Sequence, residues 1–162
     1  MIIHYEERQA FYKTSFVWLA IPGMVVAIVT TVSQTVKKPE SSWDELITLL
    51  LINAALIVFF ILLRLETKLD ERGVYYRLFP FHLKMRFIAW TDVAQVKVRS
   101  YDPLGEYWGW GIKGTRKNRA INISGDVGLQ LELKNGRKVL IGTLQKKMLE
   151  EVVEMVKSKY TI

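Results

Sequence analysis

Two long apolar runs constrain this chain more than any other feature. The first extends over residues 16–36 (FVWLAIPGMVVAIVTTVSQTV) and the second over residues 46–65 (LITLLLINAALIVFFILLRL), with no ionisable residue in either until Arg64. Crossing a hydrocarbon core takes about 20 helical residues, with a range of about 17–25. Both runs meet that length, and the sequence therefore predicts a transmembrane helical hairpin with the lipid bilayer as its first partner. The segment between them, residues 37–45 (KKPESSWDE), is short and polar and contains Pro39, which makes the helices antiparallel neighbours and puts both chain ends on one side. Arg8, Lys13, Arg64, Lys68, Arg72 and Arg77 flank the runs on that side, against Lys37 and Lys38 in the loop. By the positive-inside rule both termini are then cytoplasmic, in a multi-pass protein of the cell membrane. Trp18 and Trp43 stand near run ends, where aromatic rings favour the head-group layer. Residues 1–15 carry Glu6 and Glu7, unlike the short positive start of a signal peptide.

Within the expected hairpin, Gly23 and Ala27 form a small-xxx-small pair, with Ala54 and Ala55 at similar depth on the second helix. Small residues at such positions let two backbones approach closely. Asn53 is the one strong polar group near the middle, a functional candidate by default. Its plainer reading is a hydrogen bond between the two helices.

Charge and composition narrow the chemistry. The formal net charge is +7, the isoelectric point about 9.6 and the mean hydropathy +0.13. A basic balance suits anionic lipid head groups or nucleic acid. The chain has no cysteine and two histidines, His4 and His82, which excludes disulfides, thiol catalysis and cysteine metal sites and leaves little for a histidine site. No cofactor or metal site is expected.

From residue 66 to 162 the apolar pattern turns to alternation. ETKLD and VYYRLF flank Asp70–Gly73 as a hairpin, MRFIAW follows Pro80, and AQVKVRSY alternates through Ala94, Val96 and Val98. A stretch rich in Gly and Trp precedes AINIS. VGLQLELK and RKVLIGT then flank Asn135-Gly136, the strongest short hairpin signal. The period next becomes helical, with Thr143 as a cap and Leu144, Met148, Leu149, Val152, Val153 and Val156 on one stripe. The order is about seven antiparallel strands and a C-terminal amphipathic helix, a strongly bent sheet or partly open barrel plugged at one end.

The phrases LGEYWGWGIKG (residues 104–114), VGLQLELKNGRKVLIGT (residues 127–143) and Trp90-Thr91-Asp92-Val93 resemble the bacterial PH-like (pleckstrin-homology-like) membrane families, in which a PH-like domain follows two membrane helices. The resemblance implies a fold and a membrane setting and carries no activity with it. The phosphoinositide-binding pattern of basic residues on the first two strands does not match KLDERGVYYR, where acids interrupt the bases.

Gly109, Gly111 and Gly114 spell G-x-G-x-x-G, but no helix pattern follows, so the dinucleotide reading fails its context. These glycines better serve a strand bend, with Trp108 and Trp110 as anchors. Lys113, Arg116, Lys117 and Arg119 form the densest basic cluster, and with the two tryptophans they make the candidate interaction loop, facing anionic lipid or simply solvent. Asp92, Asp102, Glu106, Asp126 and His82 are scattered and give no nucleophile an evident base and orienter, so no catalytic residue is assigned. The sequence thus points to a non-enzymatic, membrane-anchored interaction module that binds a protein partner, another copy of itself, or anionic lipid. The alternatives are an accessory subunit of a membrane enzyme or transporter and, at further remove, a nucleic-acid binder; nucleic acid is not expected.

Overall fold

The structure, a computed structural model, describes residues 4–14, 16–37 and 43–160. The chain divides into two units, Phe11–Leu63 and Met1–Ala10 together with Arg64–Ile162.

The first unit is a helix pair. Helix α1 runs Phe16–Lys37 with Pro22 inside it, and α2 runs Trp43–Leu62. A 3-10 turn at Phe11–Lys13 precedes α1 and packs against both helices. Phe11 stacks on Phe60 at 5.0 Å, and the Phe11 amide donates to the Leu63 carbonyl at 2.9 Å. The start of α1 therefore meets the end of α2, and the helices are antiparallel. Val25, Val26, Val29, Leu51, Ile52 and Val58 are each more than half exposed.

Among the described residues, no helix is long and apolar enough to cross a membrane. This corrects the expected transmembrane hairpin, and with it the multi-pass cell-membrane localisation and the PH-like membrane-family assignment. The second apolar run does not stay helical to residue 65: α2 stops at Leu62, and Arg64–Leu69 is a strand. The first turn of α2 carries Asp44 and Glu45, so its uncharged part, Leu46–Leu62, lies at the lower limit of about 17 residues for a span. The last turns of α1 carry Thr30, Thr31, Ser33, Gln34, Thr35 and Lys37. The Thr30 and Thr35 hydroxyls donate back to the Val26 and Thr31 carbonyls of their own helix at 2.9 and 3.0 Å. The expected loop at residues 37–45 falls mostly outside the described residues, as does the Trp18 side chain; Trp43 is exposed.

The second unit is mainly β. Its strands are β1 (Tyr5–Ala10), β2 (Arg64–Leu69), β3 (Gly73–Phe79), β4 (Arg86–Ala89), β5 (Val93–Ser100), β6 (Gly111–Gly114), β7 (Asn118–Asn122), β8 (Val127–Leu133) and β9 (Lys138–Gly142). The first sheet has the order β1-β2-β3-β4 and the second β5-β8-β9-β7-β6. Every pairing is antiparallel except β7 with β9. This corrects the expectation of about seven antiparallel strands in a single bent sheet or barrel: there are two sheets, four and five strands, and neither closes on itself.

Two of the differences have local causes. A register shift between Val93 and Gln95 buries Val93 and Val96 and leaves Ala94 exposed, where unbroken alternation would have turned Ala94 inward. In β9, Val139, Leu140 and Ile141 are all buried in succession, the mark of a central strand covered on both faces. Its second neighbour is β7, not an edge.

A five-residue helix, α3 (Pro103–Tyr107), links β5 to β6. Helix α4 (Lys146–Tyr160) follows β9 and packs against β5, β1 and β8. It buries Leu149, Val152, Val153 and Val156, one stripe at spacings of three and four, worth roughly 1.5–3 kcal/mol each. At its end Lys159 pairs with Glu71 at 2.9 Å, and the Tyr160 hydroxyl donates to the Glu71 carbonyl. The β2–β3 turn is closed by the Asp70 carboxylate, which accepts from the Arg72 and Gly73 amides. Trp90, almost fully buried, donates its indole N–H to the Asp70 carbonyl at 2.8 Å.

Ahead of the first helix, Tyr5–Ala10 belongs to the β unit. Strand β1 pairs with β2 along its whole length, Tyr5 opposite Leu69 and Ala10 opposite Arg64. Glu7 is buried and accepts three hydrogen bonds: from the Tyr5 hydroxyl at 2.6 Å, the Thr143 hydroxyl at 2.8 Å and the Leu144 amide at 2.9 Å. Gln9 donates to the Gly142 carbonyl at 2.8 Å. These bonds fasten the first sheet to the end of β9 and the approach to α4. Burial and the Glu7 carboxylate push the Tyr5 hydroxyl far above its ordinary pKa, so it serves as a donor.

Candidate functional site

The basic cluster lies on the β6–β7 hairpin and is held from beneath by a buried polar network. Asp102 caps α3 by accepting from the Leu104 amide at 3.0 Å, with Pro103 in the first turn. Trp108 ends the helix in the left-handed region at φ 62° and is 87 % exposed. Trp110 is half-buried and donates its indole N–H to the Gly125 carbonyl at 3.2 Å. Asn122, fully buried, accepts from the Gly111 amide at 2.9 Å and donates to the Tyr101 hydroxyl at 2.8 Å. Burial raises the Tyr101 pKa.

Arg99 grips Glu106 with two hydrogen bonds, 3.0 and 2.7 Å. That pairing holds the Glu106 carboxyl below its usual range and raises the guanidinium pKa in turn. Asp102 and Glu106 are thus committed to structure. The three glycines of the G-x-G-x-x-G phrase all take positive φ and bracket strand β6, with no helix following. At Gly114 (φ +82°) a β-carbon would lie 2.2 Å from the Asn118 carbonyl oxygen, so only glycine closes this hairpin.

Arg116 and Lys117 are exposed at the hairpin tip, with Lys113 and Arg119 half-buried on its two strands. None of the four makes an ion pair among the described residues. A second basic segment, with Lys84 and Arg86, leads from β3 into β4. His82 is buried, and its Nδ1 accepts from the Leu78 amide at 3.3 Å. Burial lowers its pKa first, and the charges of Arg86 and Arg119 lower it further. Arg86, the first residue of β4, and Arg119, on β7, thus both contribute positive potential at the imidazole.

The signal for this surface is an absence of acid. No Asp or Glu occurs between Glu71 and Asp92, or between Glu106 and Asp126. These two stretches carry Lys84 and Arg86 on one side and Lys113, Arg116, Lys117 and Arg119 on the other. One charge from each stretch, Arg86 and Arg119, acts on His82. With no carboxylate contributed by either stretch, the positive potential reinforces across the surface.

The other candidates lie elsewhere. Asn53 is buried, and its amide donates to the Leu49 carbonyl of its own helix at 3.0 Å. Gly23 faces open space, Ala27 is half-buried, and Ala54 and Ala55 are exposed. A cleft of about 350 Å³ is lined by Phe87, Ile88, Asp92, Lys134 and Arg137, among others. Neither Asp102 nor His82 lines it. Among the described residues no group of three or more histidines and carboxylates is placed to hold a metal ion.

No protein-family model, curated protein or solved structure matches the chain, so the expected PH-like family membership is not supported.

Proposed function

We propose that this chain works by binding rather than by catalysis, with the basic surface of its β unit capturing an anionic partner. The observation that carries the reading is the clustering of Lys113, Arg116, Lys117 and Arg119 on one hairpin, in a stretch without acid, with none of the four paired to a carboxylate among the described residues. The buried Asn122–Tyr101 bond and the Arg99–Glu106 pair beneath it favour a preformed surface, which lowers the ordering cost of binding. The carboxylates nearest the hairpin, Asp102 and Glu106, are tied up in a cap and an ion pair rather than poised for proton transfer.

The test is binding of the full chain to polyglutamate, to a single-stranded oligonucleotide and to vesicles containing phosphatidylserine, over a salt titration. The comparison is a variant with Lys113, Arg116, Lys117 and Arg119 changed to Glu. Wild type should bind at least one of these polyanions with steep salt dependence, and the variant should lose that binding without a change in unfolding temperature. Absence of binding to all three at low salt sinks the reading.

A second reading has its own support. The exposed valines, leucines and isoleucines of α1 and α2 form more apolar surface than most monomers leave uncovered. We infer that the helix pair meets a protein surface, with a second copy the simplest one. Chemical crosslinking in cells that yields only monomer argues against it.

A further inference from the structure

The segment between β3 and β4 has a construction that simple anion binding does not require. His82 points inward: its amide donates to the Leu78 carbonyl at 2.7 Å, its Nδ1 accepts from the Leu78 amide, and its ring meets Tyr76 edge-on at 6.3 Å. The residues around it point out. Leu83 is 74 % exposed, Phe81 59 % and Met85 39 %. Phe87, at the start of β4, lies against Tyr75 at 4.6 Å and is itself half exposed. Lys84 and Arg86 alternate with these apolar chains and are exposed.

We propose that Leu83 and Met85 enter the interfacial layer of an anionic lipid surface while Lys84 and Arg86, which alternate with them, engage its head groups. The proposal rests on the reading that the basic surface captures an anionic partner, and names that partner as lipid. Three features favour lipid over a peptide or a nucleic acid. The apolar chains stand out from the surface, whereas peptides are taken into grooves or along strand edges. Leu83, the most exposed of these chains, is aliphatic and offers no face on which a base could stack, the contact that sequence-tolerant nucleic-acid sites use. Apolar side chains interleaved with basic ones match the layered chemistry of an anionic lipid surface, charge outside and hydrocarbon beneath. The inward bonds of His82 hold the outward chains in place before contact. The contact is peripheral and involves the β unit alone.

The chain has no cysteine, so a thiol introduced by Leu83→Cys is unique and can carry an environment-sensitive fluorophore on the full-length protein. Asn135→Cys, on the exposed β8–β9 turn, is the control position. The probes are vesicles of phosphatidylcholine alone, vesicles of phosphatidylcholine with phosphatidylserine, and polyglutamate in solution. The expected result is a blue shift at position 83 with the anionic vesicles only, no shift at position 135, and an affinity weakened about thirtyfold by combined Lys84→Gln and Arg86→Gln, as loss of two basic contacts predicts. A shift at 83 with neutral vesicles of equal size overturns the proposal. So does anionic-vesicle binding with no shift at 83, although the basic-surface reading then survives. Binding to polyglutamate but not to anionic vesicles overturns the lipid assignment and leaves the anionic partner as protein. No response to any of the three probes overturns the lipid proposal, and the basic-surface reading then stands only if the oligonucleotide binds.

Discussion

Replacing Glu7 by alanine should destabilise the β unit more than any other single change to a polar side chain. The carboxylate sits at 4 % exposure and accepts from Tyr5, Thr143 and the Leu144 amide. Hydrogen bonds to a charged group contribute about 1.5–3 kcal/mol each, and an orphaned buried donor costs about 1–3 kcal/mol. The Tyr5 and Thr143 hydroxyls lie 3.0 Å apart and can satisfy each other once Glu7 is gone. That leaves the Leu144 amide and one hydroxyl proton without an acceptor, offset in part by relief of a buried charge. The net loss is about 3 kcal/mol, or a fall of about 12–20 °C in unfolding temperature for a unit of this size. Glu7→Gln is the informative partner. Its carbonyl still accepts from Leu144, and its amide can donate to hydroxyls that rotate, so the loss should stay near 1 kcal/mol. Native-state hydrogen exchange of amides in β8 and β9 reads the stability of this unit, and the Leu144 amide itself should lose protection in the alanine variant only. If the two variants fall within about 0.5 kcal/mol of each other, the network is not what fastens β1 to the end of β9.

Further outcomes follow from the same structure. Burial, with Arg86 and Arg119 beside it, holds the His82 pKa below its ordinary value, so the unfolded chain binds that proton more readily than the folded one. Stability is therefore complete above about pH 6.5 and declines as pH falls through that value toward the folded-state pKa; His82→Gln should flatten the slope in a pH series of urea midpoints. Gly114→Ala should cost about 1–3 kcal/mol from the positive φ alone, with more from the clash at the Asn118 carbonyl, measured as a shift in urea midpoint. Trp90→Phe, which orphans the Asp70 carbonyl and leaves a void, should lose about 2 kcal/mol in the same assay. Trp108→Ala, at an almost fully exposed position, should stay within about 0.5 kcal/mol of wild type.

Much of the β unit was legible because its turns are spelled out chemically. Asp70–Gly73 and Asn135-Gly136 closed the hairpins assigned to them, and the spacing of Leu149, Val152, Val153 and Val156 gave α4 its buried face. What the sequence hid is non-local. Nothing in AINIS says that β9 will come between it and β8, because strand order depends on which strand is covered on both faces. Strand β1 was missed because Glu7 and Gln9 fall at inward positions, and an alternation whose inward members are polar reads as solvent-facing. The apolar runs misled through their ends: Arg64 and Leu65 continue the hydropathy of the second run yet belong to a strand. At the candidate site the basic hairpin was visible as a cluster, while Lys84 and Arg86 were not, since in the sequence they stand singly among apolar residues.

The path of the chain through β1 has a consequence for how the molecule is made. Ala10 and Arg64 lie opposite each other, so the two helices are spliced into what would otherwise be an ordinary strand-to-strand connection. During synthesis Tyr5–Ala10 is made before the other eight strands but has nothing to zip onto until about 50 further residues have followed. Its last anchor, Thr143, arrives only after β9. The earliest-made strand is thus among the last to be locked, and a nascent chain stalled anywhere before β9 would display it as an unguarded edge for chaperones to cover.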